Sequence, residues 1–341
     1  LCFYFVEPLG RFLGSSDKLL PYVIEYMSWY VPFLVFYEIL NIGMFYIRLD
    51  GSPNYAMMCN ATAAILNILL NYIFIFEFGW GMMGAAFATS LGTVVGGLMT
   101  LVYLMHYSHD LRLYRIKLSR KSLRMTFRNI GYMVKLGNSA FVSEASIACM
   151  MFLGNYVFIR NLGEDGVAAF SIVCYFFPII FMVYNAIAQS AQPIISYNFG
   201  AGQPERIRKA LRLSLRTALI CGICFFILTT LCCRNIVALF IDRSYSAFDI
   251  AVNGIPYFGI GFIFFAINMI GIGYYQSIER GQRATIITLL RGVVFMLIGF
   301  FVLPPILGVP GIWLAVPSAE LLTTLYIIGI YFKDRFIVRR R

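Results

Sequence analysis

The sequence predicts an all-α polytopic membrane protein. It reads as two six-helix bundles related by a parallel internal repeat, of which about nine full spans and a stub are present. Three observations predict it: an apolar composition, a ladder of spans of membrane length, and one-sided placement of basic residues. Of 341 residues, 60% are hydrophobic and 17% aromatic, while 13% are charged; soluble domains run at roughly 45–50% apolar and 25% charged. Mean hydropathy is +0.79. A soluble core of this size cannot hide so much apolar surface. Disorder, a coiled coil, a nucleic-acid partner and a disulfide-stapled secreted domain are therefore poor fits. Most of the 8 Cys lie inside apolar runs (Cys149, Cys174, Cys221, Cys224, Cys232) and read as packing residues. His106 and His109 sit in a polar segment and form no metal constellation.

A bilayer-spanning helix needs about 20 mostly apolar residues. The chain offers a partial span at Leu1–Leu9, then runs at 22–47, 55–76, 81–105, 134–158, 166–196, 212–240, 251–277, 284–303 and 311–332. Gly, Pro or charge marks the short connections, as in Arg48-Leu49-Asp50-Gly51-Ser52-Pro53 and Glu279-Arg280-Gly281. One connection, from His106 to about Lys135, is long. The runs are too long and too poorly alternating for a membrane barrel.

With the long connection on the cytoplasmic side and the spans alternating, 21 of the 27 Lys and Arg fall in cytoplasmic segments and 5 on the opposite side. Arg291 is left inside a span. This asymmetry supports both the span count and a cytoplasmic C-terminus under the positive-inside rule. It also gives the net charge of +11 a use other than nucleic-acid binding.

Shifting the chain by 230 residues places Ile42-Gly43 on Ile272-Gly273, Gly51 on Gly281, Gly81 on Gly311, Ala85 on Ala315, Leu91 on Leu321 and Thr93 on Thr323. Such a shift carries six spans, so the copy keeps its orientation, as in the parallel kind of transporter repeat. The expected organisation is an N-lobe remainder (1–106), a basic cytoplasmic linker (107–133), a C-lobe (134–335) and a basic tail (336–341). Residue 1 is Leu, and the repeat implies that two spans and most of a third precede it.

Five segments then carry a resemblance. They are Arg48-Leu49-Asp50-Gly51-Ser52-Pro53, Asn67–Phe76 (NILLNYIFIF), Gly81–Thr89 (GMMGAAFAT), Gln189–Gly202 (QSAQPIISYNFGAG) and Gly308–Ala315 (GVPGIWLA). In this order, on a six-plus-six plan, they resemble the multidrug and toxic compound extrusion (MATE) transporters. The chain looks closer to the DinF-like branch than to the NorM branch, because the span from Ile255 to Tyr275 holds no Asp or Glu. The resemblance implies a secondary active antiporter of the bacterial inner membrane. Two lobes would rock around a central cavity, and entry of H⁺ or Na⁺ would drive export of organic, often cationic, amphiphiles. It implies no cofactor beyond the coupling ion, a monomer, and no enzymatic activity.

Within the spans the acids are Glu38, Glu144 and Glu320. A carboxylate at membrane depth needs a cavity, a partner or a cation. Glu144, in Gly137-Asn138-Ser139-Ala140-Phe141-Val142-Ser143-Glu144, could hold Na⁺ as a hard oxygen ligand, take up H⁺ or attract a cationic drug. It could equally hydrogen-bond Ser143 or Ser146 between helices. Glu38 and Asn41 lie one turn apart and read as cavity groups or as a pair internal to the lobe. Arg291 and Glu320, lone opposite charges on neighbouring spans, read as a structural ion pair. Asn67 and Asn71 share one helix face, and so do Gln189 and Gln192. With Asn155, these amides could coordinate a cation or a drug, or bridge helices. Tyr175 and Tyr274, with Phe176 and Tyr275, are packing residues or cation–π contacts of the cavity. Pro32, Pro178 and Pro193 should bend their helices. The linker alternates apolar and basic residues in the manner of a helix lying on the membrane surface, in contact with lipid. A lipid-linked saccharide flippase of the same superfamily, or a receptor or scaffold, is the alternative reading.

Overall fold

The computed structural model describes residues 6–8, 20–109, 111 and 119–339, with side chains through residue 333. The expected stub at 1–9 lies mostly outside the described residues, as do linker residues 112–118 and tail residues 340 and 341. The chain divides into two compact units, Leu1–Lys117 and Leu118–Arg341, so the division falls inside the expected linker.

Among the described residues the first unit holds three long helices: α1 (Leu20–Leu49), α2 (Pro53–Glu77) and α3 (Gly81–Tyr107). A tight turn at Val31–Phe33, with Pro32 inside it, interrupts α1; the proline supplies no N–H to the regular ladder. The α3 stripe of Gly84, Ala86, Ala88, Ser90, Gly92, Gly96, Gly97 and Thr100 is buried. Small residues there let backbones approach, which is how membrane helices pack without a hydrophobic drive between them. A methyl on Gly92 would sit 2.7 Å from the Ala63 carbonyl oxygen.

In the second unit, helix runs from Arg120 to Gly200 with one break. Gly163 has φ 67° and ψ −158°, which splits the stretch into α4 (120–162) and α5 (164–200). That conformation is open to glycine and strained for other residues. Then come α6 (Pro204–Leu231), the short α7 (Cys233–Ala238), α8 (Ser246–Gly259) and α9 (Gly261–Ser277), followed by α10 (Gly281–Leu307) and α11 (Val309–Arg339). The α8–α9 pair is bent by 43° and together is long and apolar enough for one span. The helices fall on the nine apolar runs among the described residues. α4 begins earlier than the run at 134–158: Ser119 caps it by accepting the Ser122 N–H at 3.1 Å. The helix then continues unbroken into the span. The C-lobe core gathers Phe158, Phe170, Phe177, Tyr184, Phe262, Phe265 and Trp313, all 5% exposed or less.

Three helices end in the same cap. After α1, the Gly51 N–H bonds the Arg48 carbonyl and the Ser52 N–H bonds that of Ile47. After α5, Gly202 and Gln203 repeat this on Phe199 and Asn198; after α9, Glu279 and Arg280 repeat it on Gln276 and Tyr275. This is the Schellman motif, whose pivotal residue is left-handed. The pivots Gly51, Gly202 and Glu279 have φ of 87°, 65° and 60°. The pivot matching Gly51 is thus Glu279, two positions from the Gly281 expected from the 230-residue register. Gly281 instead opens α10 at the place Pro53 and Pro204 take in theirs, where a methyl would meet Leu136 at 2.9 Å. Glu279 is exposed and is the non-glycine residue with positive φ among those described. Glu279→Gly should therefore stabilise the second unit by about 0.5–1 kcal/mol, strain relief exceeding the entropy lost. A thermal melt in detergent checks this; a lower Tm would refute it.

Candidate functional site

Polar side chains in the second unit gather on four helices. α10 carries Arg291 within a π-helical turn at Leu290–Val294, a bulge of the kind frequent at functional positions. α11 brings Glu320 and Thr324, α9 brings Asn268, and α4 brings Ser146. Arg291 and Glu320 are 4% and 6% exposed. Arg291 Nη1 lies 3.7 Å from Glu320 Oε1, a loose ionic contact rather than a bidentate one. The other carboxylate oxygen, Oε2, accepts from Asn268 Nδ2 at 2.6 Å. Asn268 also donates to the Glu320 carbonyl at 2.8 Å, and the Thr324 hydroxyl donates to Asn268 Oδ1 at 2.9 Å. Arg291 Nη2 donates to Ser146 Oγ at 3.2 Å, and its guanidinium lies 4.8 Å from the centre of the Phe265 ring. Two charges that hydrocarbon would not tolerate singly thus hold each other within one network.

A second chain of bonds runs nearby in the same unit. Gln192 Nε2 donates to Gln276 Oε1 at 2.7 Å, and Gln276 Nε2 donates to Ser139 Oγ at 2.8 Å. Gln276 of α9 therefore joins Gln192 of α5 to Ser139 of α4. Gln189, one turn earlier on α5, is half-buried. In the first unit Asn67 Nδ2 donates to the Thr89 hydroxyl at 3.0 Å, tying α2 to α3, and Asn71 Nδ2 bonds back to the Asn67 carbonyl at 2.8 Å. Asn41 likewise bonds the carbonyl of Tyr37 at 2.9 Å. The helix-bridging geometry weighed for these amides is the one present for Asn67 and Gln192.

Glu144 lies apart from both networks. The buried face of α4 is Ser139, Ser143, Ser146, Met150 and Gly154. Glu144 stands about 100° around the helix from Ser143. It is exposed and makes no hydrogen bond or ion pair among the described residues. Glu38 is also exposed and also makes none. Asn155 is exposed on α4. Tyr175 is 67% exposed and stacks on Phe240, with centroids 5.8 Å apart and planes 2° off parallel. Tyr274 is half-buried and meets Tyr275 edge-on at 5.3 Å.

Asn268, Gln276 and Asp50 are network residues not singled out from the sequence. Asn268 is 0% exposed; a lone amide in the apolar run of α9 was its one signal. Asp50 sits in the α1–α2 turn and is 8% exposed. Its carboxylate accepts from the Tyr103 hydroxyl and the His109 N–H, both at 2.9 Å, and from the Leu111 N–H at 3.1 Å.

Comparison with known proteins gives the family and the fold. A family model described as MatE matches residues 1–73 and 139–308, reaching both compact units. The chain is 25% identical to the multidrug export protein MepA of Staphylococcus aureus, over 98% of this chain and 72% of that protein. It is 27% identical to an FAD transporter of Shewanella oneidensis, over 93% and 70%. Its fold matches a multidrug-resistance MATE transporter solved in an outward-facing conformation. The TM-score is 0.87 at 21% identity, covering 99% of this chain and 75% of that one.

Proposed function

This chain belongs to the MatE family, and on that premise we propose that it is a secondary active antiporter, exporting organic molecules in exchange for H⁺ or Na⁺ by alternating access. It is a multi-pass membrane transporter of the drug and metabolite efflux kind, not an enzyme. The observation that carries this reading is the family match across both compact units. The names of two relatives, a multidrug export protein and an FAD transporter, support small organic cargo. The basic residues support an inner-membrane protein with a cytoplasmic C-terminus.

Glu144 is the carboxylate we assign to coupling. It lies in an apolar span, exposed and without a protein partner among the described residues. An ionised carboxylate so placed calls for a proton, a metal cation or a cationic cargo. Glu320 is the contrasting case, its charge already committed to Arg291 and Asn268.

The test reconstitutes the full chain in proteoliposomes. Ethidium and FAD fluxes are followed under separately imposed pH and Na⁺ gradients, for wild type and Glu144→Gln. Wild type should transport at least one of them when one gradient is applied. The variant should lose gradient-driven flux by roughly tenfold or more, the scale of a site-to-site coupling energy. A variant with normal flux would remove Glu144 from the mechanism; a wild type that ignores both gradients would remove antiport.

A further inference from the structure

The second unit carries a groove that the transport reading leaves unused. It lies between α6, α9 and α11, with a volume of about 610 Å³. Arg208, Arg212 and Arg216 line one side of it. Spaced four apart, they form a single row on α6, rising about 6 Å per step. All three are exposed. Leu215 and Leu219 of α6, Ile267 of α9 and Ile328 of α11 supply aliphatic walls. Among the described residues no acidic side chain lines the groove.

The position of the arginines along α6 gives the groove its meaning. After Arg216 the chain carries no charged residue until Arg234. Arg216 therefore stands where the polar start of the helix meets its apolar run, the depth of the lipid headgroups. Tyr274 and Tyr331 line the same groove, and such aromatics concentrate at membrane interfaces. A row of fixed positive charge repels a cationic drug. It suits a ligand with an anionic head and hydrocarbon tails, and basic pockets between membrane helices hold such headgroups.

We propose that this groove binds an anionic phospholipid, its phosphate held by Arg212 and Arg216 and an acyl chain laid along Leu215, Leu219, Ile267 and Ile328. The Arg fork is matched to phosphate oxygens. The lipid would staple α6 to α9 and α11 at the headgroup end, independently of which cargo or ion the transporter moves.

Native mass spectrometry of the full-length detergent-purified chain tests this by titrating phosphatidylglycerol against phosphatidylcholine. Wild type should retain phosphatidylglycerol preferentially. Arg212→Gln with Arg216→Gln should weaken that retention about 25-fold, at roughly fivefold per basic residue near an anionic surface. Arg206→Gln with Lys209→Gln removes the same charge from the same exposed helix segment outside the groove, and should leave retention within about twofold of wild type. Leu219→Trp keeps every charge but fills the groove, and should lose the lipid. Equal losses in the two charge pairs would mean general surface attraction and would overturn the proposal, as would a wild type without headgroup preference. Displacement of the lipid by added FAD would hand the groove to an anionic cargo and overturn it too. Should Leu219→Trp fail to fold, the matched charge pairs still decide.

Discussion

Arg291→Met, with Glu320 left in place, is expected to destabilise the second unit by about 3–5 kcal/mol, the usual cost of stranding one buried charge. Glu320→Leu alone should cost a similar amount. The stranded partner cannot reach water at 4% and 6% exposure. The double variant Arg291→Met, Glu320→Leu should lie within about 1 kcal/mol of wild type or above it, because well-packed apolar replacements of a buried pair are often neutral or stabilising. The geometry favours that outcome. The ionic contact is loose at 3.7 Å, and Arg291 Nε has no hydrogen-bond partner among the described residues. Asn268 keeps the Glu320 backbone carbonyl and Thr324 when the carboxylate is gone. Thermal unfolding of the four proteins in one detergent closes the double-mutant cycle. A double variant as unstable as the two singles summed would show that the charges act separately and that the pair reading is wrong. A stable double variant with lost transport would move the pair from structure to mechanism.

That pair was legible in the sequence because isolated opposite charges on neighbouring membrane helices leave few other options. The spans were legible for the same reason: hydrocarbon filters sequence severely, so length and hydropathy place them. They do not place the ends of helices that run on beyond the apolar stretch, as α4 does from Arg120 and α6 from Pro204. Positions set by geometry rather than polarity were not. Glu279 takes a left-handed cap that its side chain disfavours, and nothing in the letters distinguishes it from a solvated turn residue. Asn268 was one amide in an apolar run, and its partners come from α11, 52 to 56 positions away. The amides Asn67 and Gln192 were recognised as polar groups needing partners, but whether those partners are helices or cargo is a question of tertiary distance. Asp50 was read as one letter of a connecting motif, when its carboxylate organises the surroundings of that turn.

Asp50→Ala should cost the first unit about 3 kcal/mol, since three donors lose a charged acceptor in a site that is 8% exposed. Asp50→Asn should cost about half as much, the amide keeping one oxygen for these donors. Tyr103→Phe, which removes one of the donors, should cost about 1–1.5 kcal/mol, its ring still packed against Tyr55 at 4.8 Å. Hydrogen exchange locates the effect: protection should fall at the His109 and Leu111 amides that bind the carboxylate. An acid buried near a helix end in a transporter invites assignment to ion coupling. The bonding argues otherwise, because a carboxylate that already accepts from a hydroxyl and two backbone amides needs no cation. Gradient-driven flux per folded molecule should therefore be unchanged in Asp50→Asn while thermal stability falls, the reverse of the pattern expected for Glu144→Gln. A variant at position 50 that kept its stability and lost coupling would transfer the coupling role from Glu144 to the turn.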